Sequence, residues 1–223
     1  MWMYLAFVIP PFLLAMYAQY RVKSAFSQMS QVPARMSGAQ SARMMLDNAG
    51  LHSVGIEPIQ AHLGDHYDPR AKVLRLSPEV YNGNSMAAVG VACHEAGHAL
   101  QDAENYAPLV VRSLAVPAAS FGSGASFFLL IGGMVFQFAP LILLGIVCFA
   151  AVVFFQLVNL PVEFNASSRA RQELVSQGII AGNEEQYVAE VLNAAALTYV
   201  AATLQSVMTL IYYLLVFFGG SND

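Results

Sequence analysis

The sequence predicts a mainly α membrane protein, with four transmembrane helices and a cytoplasmic α+β region that carries a small sheet. Three observations predict it. Of 223 residues, 57% are hydrophobic and only 11% are charged, against ~25% charged in a soluble domain. Four apolar stretches are long enough, or nearly so, to cross ~30 Å of hydrocarbon. Between them lie two polar regions, and the longer one contains short runs with the period-2 alternation of strands.

Residues 1–20 form the first span. Its first charges, Arg21 and Lys23, follow it rather than precede it, which fits an uncleaved anchor better than a removable signal peptide. Pro10-Pro11 should bend this helix, a defect that membrane helices tolerate.

Residues 21–113 form the larger polar region. Ser37-Gly38 precedes an amphipathic helix from Ala39 to Asn48, which Gly50 ends. Val54 to Gln60 reads as a short strand. Gly64 to Arg70, with Asp-Pro inside it, reads as a turn. Ala71 to Ser77 reads as a second strand, with Val73, Leu74 and Leu76 set against Lys72 and Arg75. A helix over about 85–104 follows, started at Asn84-Ser85.

Residues 114–138 form the second span, rich in small residues (Ala118, Ala119, Gly122, Gly124, Ala125) that let helices approach closely. An uncharged Phe138-Ala139-Pro140 turn joins it to the third span, residues 139–158, as a membrane hairpin. Residues 159–196 form the second polar segment. There a helix from about Val162 to Gln177 is stopped by Gly178. Another starts at Asn183, with Gln186 in capping-box spacing, and runs towards the fourth span, residues 197–218.

All ten Lys and Arg residues lie between Arg21 and Arg171. The positive-inside rule therefore places both polar regions in the cytoplasm and both termini outside. The net charge of −4 comes with no basic run, so nucleic-acid binding has no support. Cys93 and Cys148 fall in apolar helical segments and suggest neither a disulfide framework nor a cysteine-based metal site.

The chemistry is concentrated in His94-Glu95-Ala96-Gly97-His98. On a helix, positions i and i+4 share a face, so two imidazoles can point at one metal. Glu95, beside the first, can reach a water on that metal. Two core histidines are the plain alternative, but buried His and Glu without partners cost several kcal/mol. The motif makes the cytoplasmic region a zincin-like α+β catalytic region and the chain a zinc hydrolase, most simply a peptidase. The sheet edge could then hold a substrate backbone as an added strand.

Catalytic zinc usually takes three protein ligands plus water. No histidine follows His98, which excludes a third downstream histidine. His52, His62 and His66 remain open upstream, although each suits a surface or turn position. Asp102, four residues past His98, could orient a ligand histidine from outside the metal shell. Glu163 is favoured as the third ligand. It begins a helix amid Leu160, Val162 and Phe164, where a carboxylate is costly unless paired or coordinated. Complementing a helix N-terminus is its plain alternative.

Four segments together resemble the bacterial YugP-type family of neutral zinc metallopeptidases: Asp65 to Arg70, Leu74 to Tyr81, His94 to Gln101, and Leu160 to Ser167. The likeness spans nearly the whole chain, including the order of membrane segments. That family resembles the membrane gluzincins, such as HtpX and the CAAX prenyl proteases. The resemblance implies Zn2+ as cofactor, His94, His98 and Glu163 as its ligands, and Glu95 as the base. It implies a membrane-associated protein or peptide substrate and a bacterial inner membrane, on whose cytoplasmic side the Lys and Arg placement puts the site. The chain departs from those relatives at Ser167, where they carry an aspartate. The surroundings of the ligands must then differ, with Asp102 or Arg169 as candidates.

The expected function is a membrane-embedded zinc metalloendopeptidase acting at the cytoplasmic membrane surface, with membrane-protein quality control as its setting. Tyr81, Asn84 and Arg169 are candidate oxyanion stabilisers. Two other readings compete. A site-2-type intramembrane zinc protease would need an aspartate in a later span, and the third and fourth spans contain none. A catalytically silent zinc-binding scaffold or adaptor would have no use for Glu95 as a base.

Overall fold

In the computed structural model, which describes residues 2–60 and 64–219, the chain is mainly helical and carries one three-stranded sheet. The order is α1 (Trp2–Met29), α2 (Gly38–Asn48), β1 (Gly55–Pro58), β2 (His66–Asp68), β3 (Val73–Leu76), α3 (Pro78–Asn82), α4 (Met86–Ala103), α5 (Ala107–Val135), α6 (Ala139–Ser176) and α7 (Glu185–Gly219). The helices α1, α5, α6 and α7 are long and apolar enough to cross a membrane. The chain divides into two compact units.

The first unit comprises Met1–Tyr17, Ala107–Pro161 and Thr198–Asp223. Its α5–α6 hairpin packs through glycine. A side chain on Gly133 would meet Ile142, one on Gly145 would meet Leu130, and one on Gly122 would run into the Cys148 carbonyl. The small-residue reading of the second span holds at Gly122, whereas Gly124 faces open space. Between α6 and α7, the Thr203 hydroxyl donates to the Gln156 carbonyl at 3.3 Å.

The second unit comprises Ala18–Tyr106 and Val162–Leu197. Its core joins Met45 and Leu46 of α2, Leu74 and Leu76 of β3, Met86, Val89 and Cys93 of α4, Leu174 of α6, and Val188 and Leu192 of α7. Ser37 caps α2, accepting from the Gln40 N–H, while the Gln40 side chain accepts from the Ser37 N–H. Gly50, at φ 75°, supplies the left-handed residue that ends the helix. Ser85 caps α4 by accepting from the Ala88 N–H.

The sheet order is β1-β3-β2. Strand β1 is parallel to β3, and β2 is antiparallel to it with Tyr67 opposite Leu74. Residues 66–68, expected within a turn, are therefore a short edge strand. Three residues are too few for a legible alternation, and Asp68-Pro69, at the strand's end, carries a turn signal. Helix α3 was not expected; Ser77-Pro78 starts it, with proline in the first turn. The third span and the helix expected from Val162 are one helix, α6, which continues through Pro161. The last helix starts at Glu185 rather than Asn183. There the Gln186 side chain donates to the Asn183 carbonyl and the Glu184 carboxylate accepts from the Ala181 N–H, in place of the expected capping box.

Candidate metal centre

Helix α4 presents two chemically distinct stripes. His94, His98 and Gln101 recur at spacings of four and three, so they share one face. Glu95 and Asp102, seven apart, share another. The first stripe meets α6 and the second meets β2.

Close packing brings α6 onto the first stripe. A side chain at Gly97 would stand 2.7 Å from the Ala166 carbonyl oxygen, so only glycine permits this approach. With the backbones that close, Glu163 reaches back to both imidazoles. Its Oε2 lies 3.3 Å from His94 Nε2 and 3.5 Å from His98 Nε2. One donor atom from each residue falls within 4.8 Å of the others. Glu163 is 3% exposed, and a carboxylate so buried needs a cationic or coordinating partner.

The far side of each ring is held. His98 Nδ1 lies 2.9 Å from Gln101 Oε1. The other end of the Gln101 amide donates to the Val162 carbonyl at 2.8 Å and to Asn165 Oδ1 at 2.9 Å. Those two acceptors fix which way the amide points, because a flipped amide would set oxygen against oxygen. His98 must therefore donate through Nδ1, which leaves its Nε2 lone pair for a metal. His94 Nδ1 lies 3.1 Å from the Ser167 hydroxyl. Two neutral nitrogens and a carboxylate, converging with their outer atoms occupied, suit a zinc ion.

The second stripe handles Glu95. The Tyr67 N–H donates to Glu95 Oε2 at 3.0 Å. Burial pushes the Glu95 carboxyl up to about 7; the neighbouring His94 and the Tyr67 N–H pull against this, and the negative charges of Glu163 and Asp65 add to the rise. A carboxyl in that range can both take and return a proton near neutral pH.

The remaining expectations sort cleanly. Asp102 does not orient a histidine. It accepts from the Tyr67 hydroxyl at 2.7 Å and pairs with Lys72, because its stripe faces the hairpin rather than α6. His52 is exposed on Asp47, and His66 is exposed with its Nδ1 on the Gly64 carbonyl; neither joins the cluster. His62 lies outside the described residues. Tyr81 packs against the core, and the Asn84 carbonyl accepts from the Ala34 N–H. Arg169 donates to Asn165 Oδ1 at 2.7 Å, pairs with Glu104 at 2.7 Å and stacks over Tyr106. Gln101, Asn165 and the role of Ser167 were missed from sequence. Gln101 sits three residues past His98, and that spacing was the available signal.

The family described as "Putative neutral zinc metallopeptidase" matches residues 4–218. The protein described as "Putative membrane protease YugP", from Bacillus subtilis (strain 168), is 50% identical over 212 residues, covering 94% of each chain. No solved structure matches the chain.

Proposed function

From the premise that the chain belongs to the neutral zinc metallopeptidase family, we propose that it is a zinc-dependent endopeptidase. It cleaves protein segments at the cytoplasmic surface of a bacterial inner membrane. His94, His98 and Glu163 hold the zinc and Glu95 is the general base. The observation that carries this reading is the convergence of Glu163 with two histidine Nε2 atoms 69 and 65 residues earlier, beside a buried Glu95 held by the Tyr67 N–H.

Bound zinc would supply a Lewis acid for the peptide carbonyl and bring the pKa of water down to about 7. Glu95 then takes the proton from water and returns it to the leaving nitrogen. The Tyr67 N–H keeps the carboxylate in place for both transfers. Glu163 offsets the zinc charge, and Ser167 and Gln101 hold the two rings in the orientation the ion requires.

The cytoplasmic side follows from the placement of Lys and Arg. A substrate drawn from membrane-associated or misfolded protein, in the setting of quality control, is proposed by analogy, with the position of Glu163 directly after an apolar span in its support. A site-2-type reading has less support because it needs an aspartate in a later span, and residues 139–158 and 197–218 contain none.

The test is cleavage of an unfolded polypeptide by the detergent-purified full chain. The reading expects fragments with zinc, none after a chelator strips it, and fragments again when zinc is returned. Zinc bound with no cleavage in any arm would favour a zinc-binding scaffold.

A further inference from the structure

Both candidate ligand histidines are held at Nδ1 by neutral groups. His98 rests on the Gln101 amide oxygen and His94 on the Ser167 hydroxyl. A carboxylate at either place would make the ring a stronger donor, because a charge-assisted hydrogen bond is roughly twice as strong as a neutral one. Acids stand close by, Asp102 in the last turn of α4 and Glu104 just past it, yet they are engaged with Tyr67, Lys72 and Arg169 instead.

Gln101 is fully buried and all three of its contacts are made. Its oxygen serves His98 and its nitrogen serves Val162 and Asn165 on α6. Asn165 in turn accepts from Arg169, which reaches Glu104 beyond the end of α4. A continuous hydrogen-bonded path thus runs from a ligand ring, through the helix that carries Glu163, to the surface. It ties the His98 orientation to the placement of α6.

We propose that Gln101 and Ser167 are positioning residues that set the zinc affinity of the site. They fix the Nδ1-protonated form of His98 and His94 with uncharged acceptors, so neither ring is backed by a carboxylate. This rests on the zinc reading above.

The experiment is a zinc competition titration of the detergent-purified apo full chain against a chelator of known affinity, with thermal unfolding run on every variant. Gln101→Leu keeps the size but removes the acceptor, and should weaken zinc by about 10- to 100-fold. Ser167→Ala should weaken it by a smaller factor. Ser167→Thr, which keeps the hydroxyl, should restore it. Ser167→Asp should bind zinc more tightly than wild type. A merely structural role would make every substitution weaken binding in step with stability, so tighter binding by Ser167→Asp is the discriminating result. Unchanged affinity in both Gln101→Leu and Ser167→Ala would overturn the inference, as would Ser167→Asp binding no better than Ser167→Ala. If Gln101→Leu does not fold, the three Ser167 variants decide alone. Failure of the underlying reading looks different: wild type itself would bind no zinc, or Glu163→Ala would bind as tightly as wild type.

Discussion

Tyr67 grips helix α4 at two points two turns apart, its N–H on Glu95 Oε2 and its hydroxyl on Asp102 Oδ2. One residue of the edge strand thereby sets both Glu95, the proposed general base, and the lie of the β2–β3 hairpin along the helix. Burial and the Asp102 contact hold the Tyr67 hydroxyl protonated, well above the usual tyrosine range, so it is a donor at any working pH.

Tyr67→Phe should therefore destabilise the protein by about 1–2 kcal/mol, the worth of a hydrogen bond to a charged acceptor that keeps a second partner. The backbone bond to Glu95 survives the change. Zinc binding should stay within about twofold of wild type, a difference below ~0.5 kcal/mol. Chemical unfolding and a zinc titration on the same sample check both halves.

Gly97→Val should damage the site more than the fold. Its Cβ would lie 2.7 Å from the Ala166 carbonyl oxygen, so α6 must move and carry Glu163 with it. Overpacking of this kind costs about 1–3 kcal/mol. Zinc content should fall well below one per chain while helicity by circular dichroism is kept.

Asp68 gives the acid limb of stability a defined source. The Arg75 guanidinium, followed by the Ala71 and Arg70 N–H groups, holds its carboxyl down at about 2, from an ordinary 3.8. A carboxylate depressed in the folded state stabilises it above the ordinary value and loses that contribution as protonation sets in. Stability should thus fall as pH drops from about 4 through about 2. Asp68→Asn should show a shallower acid limb than wild type in unfolding series across that window, and an identical slope would contradict the assignment.

Much of the site was legible because its signals are local. His94 and His98 share a helix face by spacing alone, and Glu163 stood out as a carboxylate in apolar company. Gln101 and Ser167 were not legible in the same way. Their partners are 3 and 73 residues away, and a neutral polar side chain on a buried face has many possible reasons to be there. The four helices long and apolar enough to span followed from hydropathy, but not the continuity of α6: Pro161 reads as a break and the helix runs on through it. Strand β2 was missed because pairing with β3, rather than its own three residues, makes it a strand.

The Lys and Arg distribution makes a separate prediction about sidedness. A C-terminal alkaline phosphatase fusion, which is active only outside the cytoplasm, should be active in cells, and a fusion in the segment after Arg171 should be silent. The reverse pattern would move the candidate metal centre to the opposite face.

The most direct test of the account pairs zinc content with cleavage of an unfolded protein for wild type, Glu95→Gln and Glu163→Ala, purified alike. The account predicts about one zinc per chain in wild type and Glu95→Gln, fragments from wild type alone, and depleted zinc in Glu163→Ala. Fragments from Glu95→Gln, or full zinc in Glu163→Ala, would contradict it.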